Sequence, residues 1–296
     1  MLARKFQSII RSETKDNLRN QASTDLSGSG RHYSAGRKAS SLWPAALNRL
    51  TILLVEDNET NQILTQTTLQ RAGCDVLIAR NGQEAIDACR IQAFDIILMD
   101  IEMPQINGIE ATQFIRTQAG PNQTSTIIAL TAYGSASEKY IYQHSGADYV
   151  ITKPFTMEAL APALETQFGI SIPHEPLRRT ELPNQSTVID PAILSRIACE
   201  HELADIEFIL RSFWRVAEGL FTDIQTAQRT DNIHELRHSA HALKGAAANI
   251  GLREIAYHAA KIGSAPQAKK ASIVVDIERS MQRARKALSV FVEAMR

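Results

Sequence analysis

From Thr51 to Phe168 short apolar runs alternate with amphipathic stretches. Thr51–Val55, Val76–Ala79, Asp95–Met99, Ile127–Leu130 and Tyr149–Ile151 are short and mostly apolar, as strands covered on both faces are. Helical spacing fills Thr60–Ala72, Gly82–Ile91, Gly108–Arg116, Ser135–His144 and Thr156–Gln167. Five strands, each followed by a helix, predict an α/β fold: a doubly wound, five-stranded parallel sheet with helices on both faces. In such sheets chemistry gathers beyond the strand C-termini.

The pattern then changes. Residues 171–187 carry Pro173, Pro176 and Pro183 among polar residues and read as a linker. From 188 to 296 only the helical period remains. Asp190-Pro191 is a helix start, with Asp as N-cap and Pro in the first turn. Ile206, Ile209, Leu210, Phe213, Val216, Leu220 and Ile224 form an apolar stripe on the next helix, and further helices are expected over about 233–250, 252–262 and 271–295. Four or five antiparallel helices joined by short loops predict an all-α helical bundle. Residues 1–49, rich in Ser, Gly and basic side chains, are expected to be mostly disordered.

Charge sharpens this division. Residues 1–49 hold nine Lys and Arg against three Asp and Glu, residues 50–170 six against fourteen, and residues 171–296 seventeen against fifteen. An acidic middle suits a cation and argues against nucleic-acid binding there. The three cysteines, Cys74, Cys89 and Cys199, have no metal-type spacing and read as reduced buried thiols. No apolar run approaches the roughly 20 residues of a membrane span, and no signal core follows the basic N-terminus, so a cytoplasmic protein is expected.

Candidate chemistry falls at the ends of the expected strands. Glu56-Asp57 ends the first apolar run, Asp100 the third, Thr131 the fourth, and Lys153-Pro154-Phe155 follows the fifth. An aspartate attacks a phosphoryl group poorly unless negative charge is screened, and Mg²⁺ does so from one or two carboxylates plus other oxygens. Glu56, Asp57 and Asp100 offer such oxygens, Lys153 a balancing cation and Thr131 a hydroxyl. Asn58 is placed to cap the following helix. In the second half, a helical wheel gathers Leu236, Ser239, Leu243, Ala246, Ala247 and Ile250 opposite His241, whereas Arg237, His238, Lys244, Gly245 and Ala248 share its exposed face. Lys244 could stabilise phosphoryl charge, and Gly245 leaves space for a protein to approach. His234, His238 and His258 read as surface residues, with His238 a second candidate acceptor.

Over about 50–170 the ordered set Val55-Glu56-Asp57-Asn58, Leu98-Met99-Asp100 with Met103-Pro104 and Gly108, Thr131-Ala132 and Lys153-Pro154-Phe155 resembles a response-regulator receiver domain. The resemblance implies Asp100 as phosphoacceptor and Asp57 as main Mg²⁺ ligand. Glu56 would act through water and Glu102 through its backbone carbonyl, with Thr131 and Lys153 on the phosphoryl group. Receivers often carry an aromatic residue three before the lysine; Val150 stands there, with Tyr149 expected on the other face. The stretch His241 to Gly251 is similar to the signature of histidine phosphotransfer (HPt) domains, which implies a four-helix bundle over about 188–296 and phosphorylation of His241.

A receiver followed by an HPt domain resembles the C-terminal part of hybrid sensor histidine kinases. The implied partners are a sensor histidine kinase as phosphodonor and a downstream response-regulator receiver. No ATP-lid motif appears, so the chain reads as a stand-alone relay protein or as a remnant or fragment of a hybrid kinase. A protein-binding module controlled by phosphorylation of Asp100 is the alternative.

Overall fold

The structure, a computed structural model, describes residues 43–131, 136–172 and 188–296. The expected N-terminal segment up to Leu42, the linker prolines and Ala132 lie outside the described residues. The first half holds β1 (Thr51–Val55), α1 (Glu59–Arg71), β2 (Asp75–Ala79), α2 (Gly82–Ile91), β3 (Ile96–Asp100), α3 (Gly108–Thr117), β4 (Thr126–Thr131), α4 (Ala136–His144), β5 (Tyr149–Thr152) and, after a short 3₁₀ turn, α5 (Ala161–Phe168). All four strand pairings are parallel, in the order β2-β1-β3-β4-β5. The order reverses between β1 and β3, which opens a crevice at their C-terminal ends.

Alternation along the strands divides the core into two layers. Ile52, Leu54, Leu98, Ile128 and Leu130 pack on Leu69 of α1 and Leu164 of α5. Leu53, Val55, Ile97, Met99 and Ala129 face Ile86 of α2, Ile115 of α3 and Tyr142 of α4. Because both faces are covered, the central strands are apolar at nearly every position. Tyr149 joins the first layer and Val150 the second, so these neighbours do point to opposite faces. Ile170 and Ile172 extend the first layer beyond α5, and Leu47, in a short 3₁₀ turn (Ala45–Arg49) before β1, joins it, so the end of the segment expected to be disordered is ordered by burying an apolar side chain.

Helix starts are set by side-chain caps. Asn58 accepts from the Thr60 and Asn61 amides at the head of α1, Asn81 from Glu84, and Asn107 forms a capping box with Glu110. A Cβ at Gly108 would lie 2.1 Å from the Asp100 carbonyl oxygen, so only glycine lets α3 begin against the end of β3.

The second half is α6 (Pro191–Glu200), α7 (Leu203–Arg229), α8 (Ile233–Asn249), α9 (Arg253–Ile262) and α10 (Gln267–Met295). Helices α7 to α10 pack in a ring, with α6 against α7. Asp190 caps α6 through the Ala192 amide, with Pro191 in its first turn. The stripe of α7 is inside at Ile206, Ile209, Leu210, Phe213 and Ile224, but Val216 and Leu220 are half-buried. Cys74 and Cys89 are buried free thiols; the expectation fails at Cys199, which is exposed near the end of α6.

Sheet domain and bundle touch: α1 packs against α7 and α8. Consequently the face of α8 expected to be open is partly covered, with His241, Lys244, Gly245 and Ala248 half-buried. His238 and His234, farther toward the helix N-terminus, remain exposed.

Candidate functional site

Four loops deliver the candidate residues to one place. Glu56 and Asp57 follow β1, Asp100 ends β3, Thr131 ends β4, and Lys153 follows β5. The Lys153 amide donates to the Thr131 carbonyl at 2.7 Å, which ties the last two together, and the Lys153–Pro154 peptide is cis. Glu56 and Asp100 are 3% and 4% exposed, so both carboxylates sit in a low-dielectric setting. Lys153 Nζ lies between them, donating to Glu56 Oε2 at 2.7 Å and to Asp100 Oδ2 at 2.6 Å. The Glu102 amide donates to the other Asp100 oxygen at 3.2 Å. Thr131 is fully buried, its hydroxyl 3.4 Å from that of Tyr142 on α4.

Electrostatics follow from this crowding. Burial pushes the Glu56 carboxyl up to about 7; Lys153 opposes the shift and Asp100 adds to it. Burial also raises Asp100, against the pull of Lys153. Asp57 is raised by burial and then by the charge of Glu56. Burial alone would lower Lys153, but Glu56 and Asp100 outweigh it and hold the ammonium well above its ordinary value. One ammonium therefore faces three carboxylates that are each expensive to ionise.

Oxygens of Glu56, Asp57 and Asp100 all lie within 4.8 Å of one another. An all-oxygen set with surplus negative charge fits a hard divalent cation, which would supply the charge that Lys153 alone does not.

The bundle brings His241 to this crevice. Its Nε2 is 2.7 Å from Glu102 Oε2, two residues beyond Asp100. Burial by itself would raise Glu102, but the hydrogen bond and charge of His241, with Lys244 behind it, bring its carboxyl below the usual range. The structure thus brings Glu56, Asp57, Asp100, Lys153, Glu102 and His241 to one crevice, with Thr131 at the neighbouring strand end. It adds a contact that was not expected, the Glu102 side chain on His241.

The sequence did not point to the contacts that join the two halves. Asn58 Nδ2 donates to the Ala242 carbonyl at 3.3 Å, and Asn249 Nδ2 donates to Asn61 Oδ1 at 2.7 Å. Two charge pairs bracket these bonds. Arg215 of α7 meets Glu59 at the start of α1, and Arg71 at its end meets Asp205, with Glu202 at 3.5 Å. The helices α1 and α7 run antiparallel with reciprocal charges. A partial signal existed in sequence, since α1 is acidic at its head and basic at its tail, but nothing there names the helix it faces.

Comparison with known proteins bears on both halves. The model of the response regulator receiver domain matches residues 52–165, and that of the Hpt domain matches 209–287. The sensor protein GacS of Pseudomonas syringae pv. syringae is 32% identical over 213 residues, which cover 69% of this chain and 23% of GacS. The aerobic respiration control sensor protein ArcB of Escherichia coli K12 is 26% identical over 213 residues, covering 71% of this chain and 27% of ArcB. The chain thus spans about a quarter of the length of these curated relatives. Among solved structures, the receiver domain of sensor histidine kinase PA1611 from Pseudomonas aeruginosa PAO1, with a magnesium ion in its active-site cleft, is 33% identical. It covers 40% of this chain and 98% of its own, with a TM-score of 0.38. With both family models matched in this order, the chain is a two-component protein that carries a response regulator receiver domain followed by an Hpt domain, like the phosphorelay segments of hybrid sensor kinases such as GacS and ArcB.

Proposed function

We propose that this chain relays a phosphoryl group between Asp100 and His241, with Asp100 charged by the phosphohistidine of a sensor kinase and His241 serving a further receiver. The receiver is taken as 50–170 and the HPt domain as 188–296, joined by 171–187. The observation that carries the reading is the approach of His241 Nε2 to the acidic crevice, 2.7 Å from Glu102 Oε2. Nothing in the fold requires a surface histidine of a bundle to face the strand ends of a neighbouring sheet.

In this reading Glu56, Asp57, Asp100 and the Glu102 carbonyl would hold Mg²⁺, which when bound neutralises the crowded carboxylates. An Asp100 oxygen attacks phosphorus, and the bond from phosphorus to the donor breaks with its electron pair leaving on the donor. Lys153 then moves its ammonium from the two carboxylates to a phosphoryl oxygen, and Thr131 donates its hydroxyl to another. For onward passage His241 leaves its Nε2 proton with the Glu102 carboxylate it meets, the freed lone pair attacks phosphorus, and the bond to Asp100 breaks with its pair returning to the carboxylate. Lys244, one turn along α8, faces the same charge. Docking in cis makes this step effectively unimolecular.

The test uses the intact chain, Mg²⁺ and acetyl phosphate. Two labels are expected: an acid-stable, hydroxylamine-sensitive one on Asp100 and an acid-labile, base-stable one on His241. His241→Gln should remove the second and leave the first. Retention of the acid-labile label in His241→Gln, with its loss in His238→Gln, would place the acceptor one turn away.

A further inference from the structure

Between the two charge pairs the interface is sealed and polar. Asn61 and Asn249 are 2% and 4% exposed, and their bond joins the receiver to the HPt helix. Asn61 has a second bond, from Nδ2 to Glu56 Oε1 at 2.9 Å. The other oxygen of Glu56 holds Lys153, which holds Asp100. An unbroken run of hydrogen bonds therefore leads from α8 to the residue read as phosphoacceptor: Asn249, Asn61, Glu56, Lys153, Asp100.

The direction of every amide in this run is fixed by chemistry. Both Glu56 oxygens already accept, Oε1 from the Asn58 amide at 3.4 Å and Oε2 from Lys153, so Asn61 must turn its NH₂ to Glu56 and its oxygen to Asn249. Asn249 must then offer its own NH₂, which leaves its Oδ1 buried and unpartnered. An apolar side chain would spare the bundle that orphaned oxygen. The amide is explained by the bond it makes across the interface rather than by packing.

We infer that Asn249 and Asn61 are positioning residues that couple HPt docking to the geometry of the acidic cluster, so that docking orders Glu56 and a cation held by the cluster favours docking. The inference rests on the relay reading of this site. Asn249 touches no candidate ligand oxygen itself; it acts by holding Asn61 in the orientation Glu56 needs. The coupling must be reciprocal, since whatever docking does for the cation, the cation does for docking.

Two measurements on the intact chain decide it: Mg²⁺ affinity by titration calorimetry, and the rate at which label from acetyl phosphate passes from Asp100 to His241. Asn249→Ala is expected to weaken Mg²⁺ binding about fivefold and slow passage about tenfold. Asn249→Leu fills much of the same space without a donor and should behave like Asn249→Ala, which separates positioning from packing. The double variant Asn61→Ala/Asn249→Ala should be no worse than Asn61→Ala alone, because one bridge is broken either way. Unchanged Mg²⁺ affinity in both Asn249 variants, wild-type passage in Asn249→Leu, or a double variant whose loss is the product of the singles would each overturn the inference. If the wild-type chain never labels His241, the relay reading fails, and the Mg²⁺ titration still decides the coupling.

Discussion

The strand ends around Asp100 and the helix face around His241 are furnished in opposite ways. At the strand ends, Glu56, Asp100 and Lys153 are locked into one ion-paired cluster, with Lys153 12% exposed and the carboxylates less. On α8 the imidazole is about a third exposed, the helix behind it is Leu243, Ala246 and Ala247, and the carboxylate it meets belongs to the receiver. The charges that would activate a phosphoryl group lie on one side, and a nucleophile with room around it lies on the other. In the relay reading such a helix needs few charges of its own, because the receiver it meets brings them.

The largest test breaks the rich side. Asp100→Asn is expected to abolish both labels from acetyl phosphate, because in the relay reading His241 receives its phosphoryl group through Asp100. Asp57→Ala should do nearly the same by removing a ligand oxygen. Persistence of the acid-labile label in Asp100→Asn would mean that the HPt helix carries activating groups after all, and the contrast would collapse.

The next test crowds the bare side. A Cβ at Gly245 would find Asn61 Nδ2 at 3.8 Å, an ordinary contact, so Gly245→Ala should dock normally and gain about 1 kcal/mol of helix stability. Gly245→Leu should keep its melting temperature yet slow passage at least tenfold, since the longer side chain meets α1. A Gly245→Leu chain that unfolds would place this glycine in a contact within the bundle instead.

How much of this was legible in the sequence follows from what each level depends on. Strand ends, caps and the acidic cluster are local consequences of pattern, and the five strands fall within a residue or so of their expected places. The helix wheel separated Leu243, Ala246 and Ala247 from His241. It missed Asn249, which is buried and bonded across the interface to the other domain. Periodicity reports one helix's core, and an interface between domains has no period of its own. The contact of the Glu102 side chain was missed for the same reason, because its partner His241 is 139 positions away.

Charge pairing at the interface should give a smaller effect. Arg71→Glu sets a carboxylate against Asp205 and Glu202 and is expected to slow passage about tenfold at low salt, less at high salt. Adding Asp205→Lys should restore part of the loss. Absence of any rescue would show that the two side chains do not meet in solution.

The smallest effect concerns a pair of neighbours at the end of α6, where the bundle meets α1. His201 is 4% exposed, with Nε2 3.3 Å from the Thr68 hydroxyl and Nδ1 3.2 Å from the Ile197 carbonyl. Burial lowers its pKa to about 4, with Arg71 and Arg196 adding and Asp205 opposing. Beside it, burial raises Glu200 to about 7, with Glu158 adding and Arg196 opposing. For His201 the folded chain binds fewer protons than the unfolded one between pH 4 and 6.5, so its contribution is lost as pH falls through that window. For Glu200 the folded chain binds more protons between 4.5 and 7, so its contribution is lost as pH rises. The two slopes oppose each other from 4.5 to 6.5, and removing either group should expose the other. Relative to wild type, Glu200→Gln should lose on the order of 2 kcal/mol of unfolding free energy between pH 6.5 and 4.5, and His201→Gln a similar amount between pH 4.5 and 6.5. Glu56 titrates in the same range, but it is common to all three chains and drops out of the differences. Urea melts at half-unit pH intervals check this. Parallel curves for the three chains would mean that water reaches both side chains, and that α6 does not seal this end of the interface.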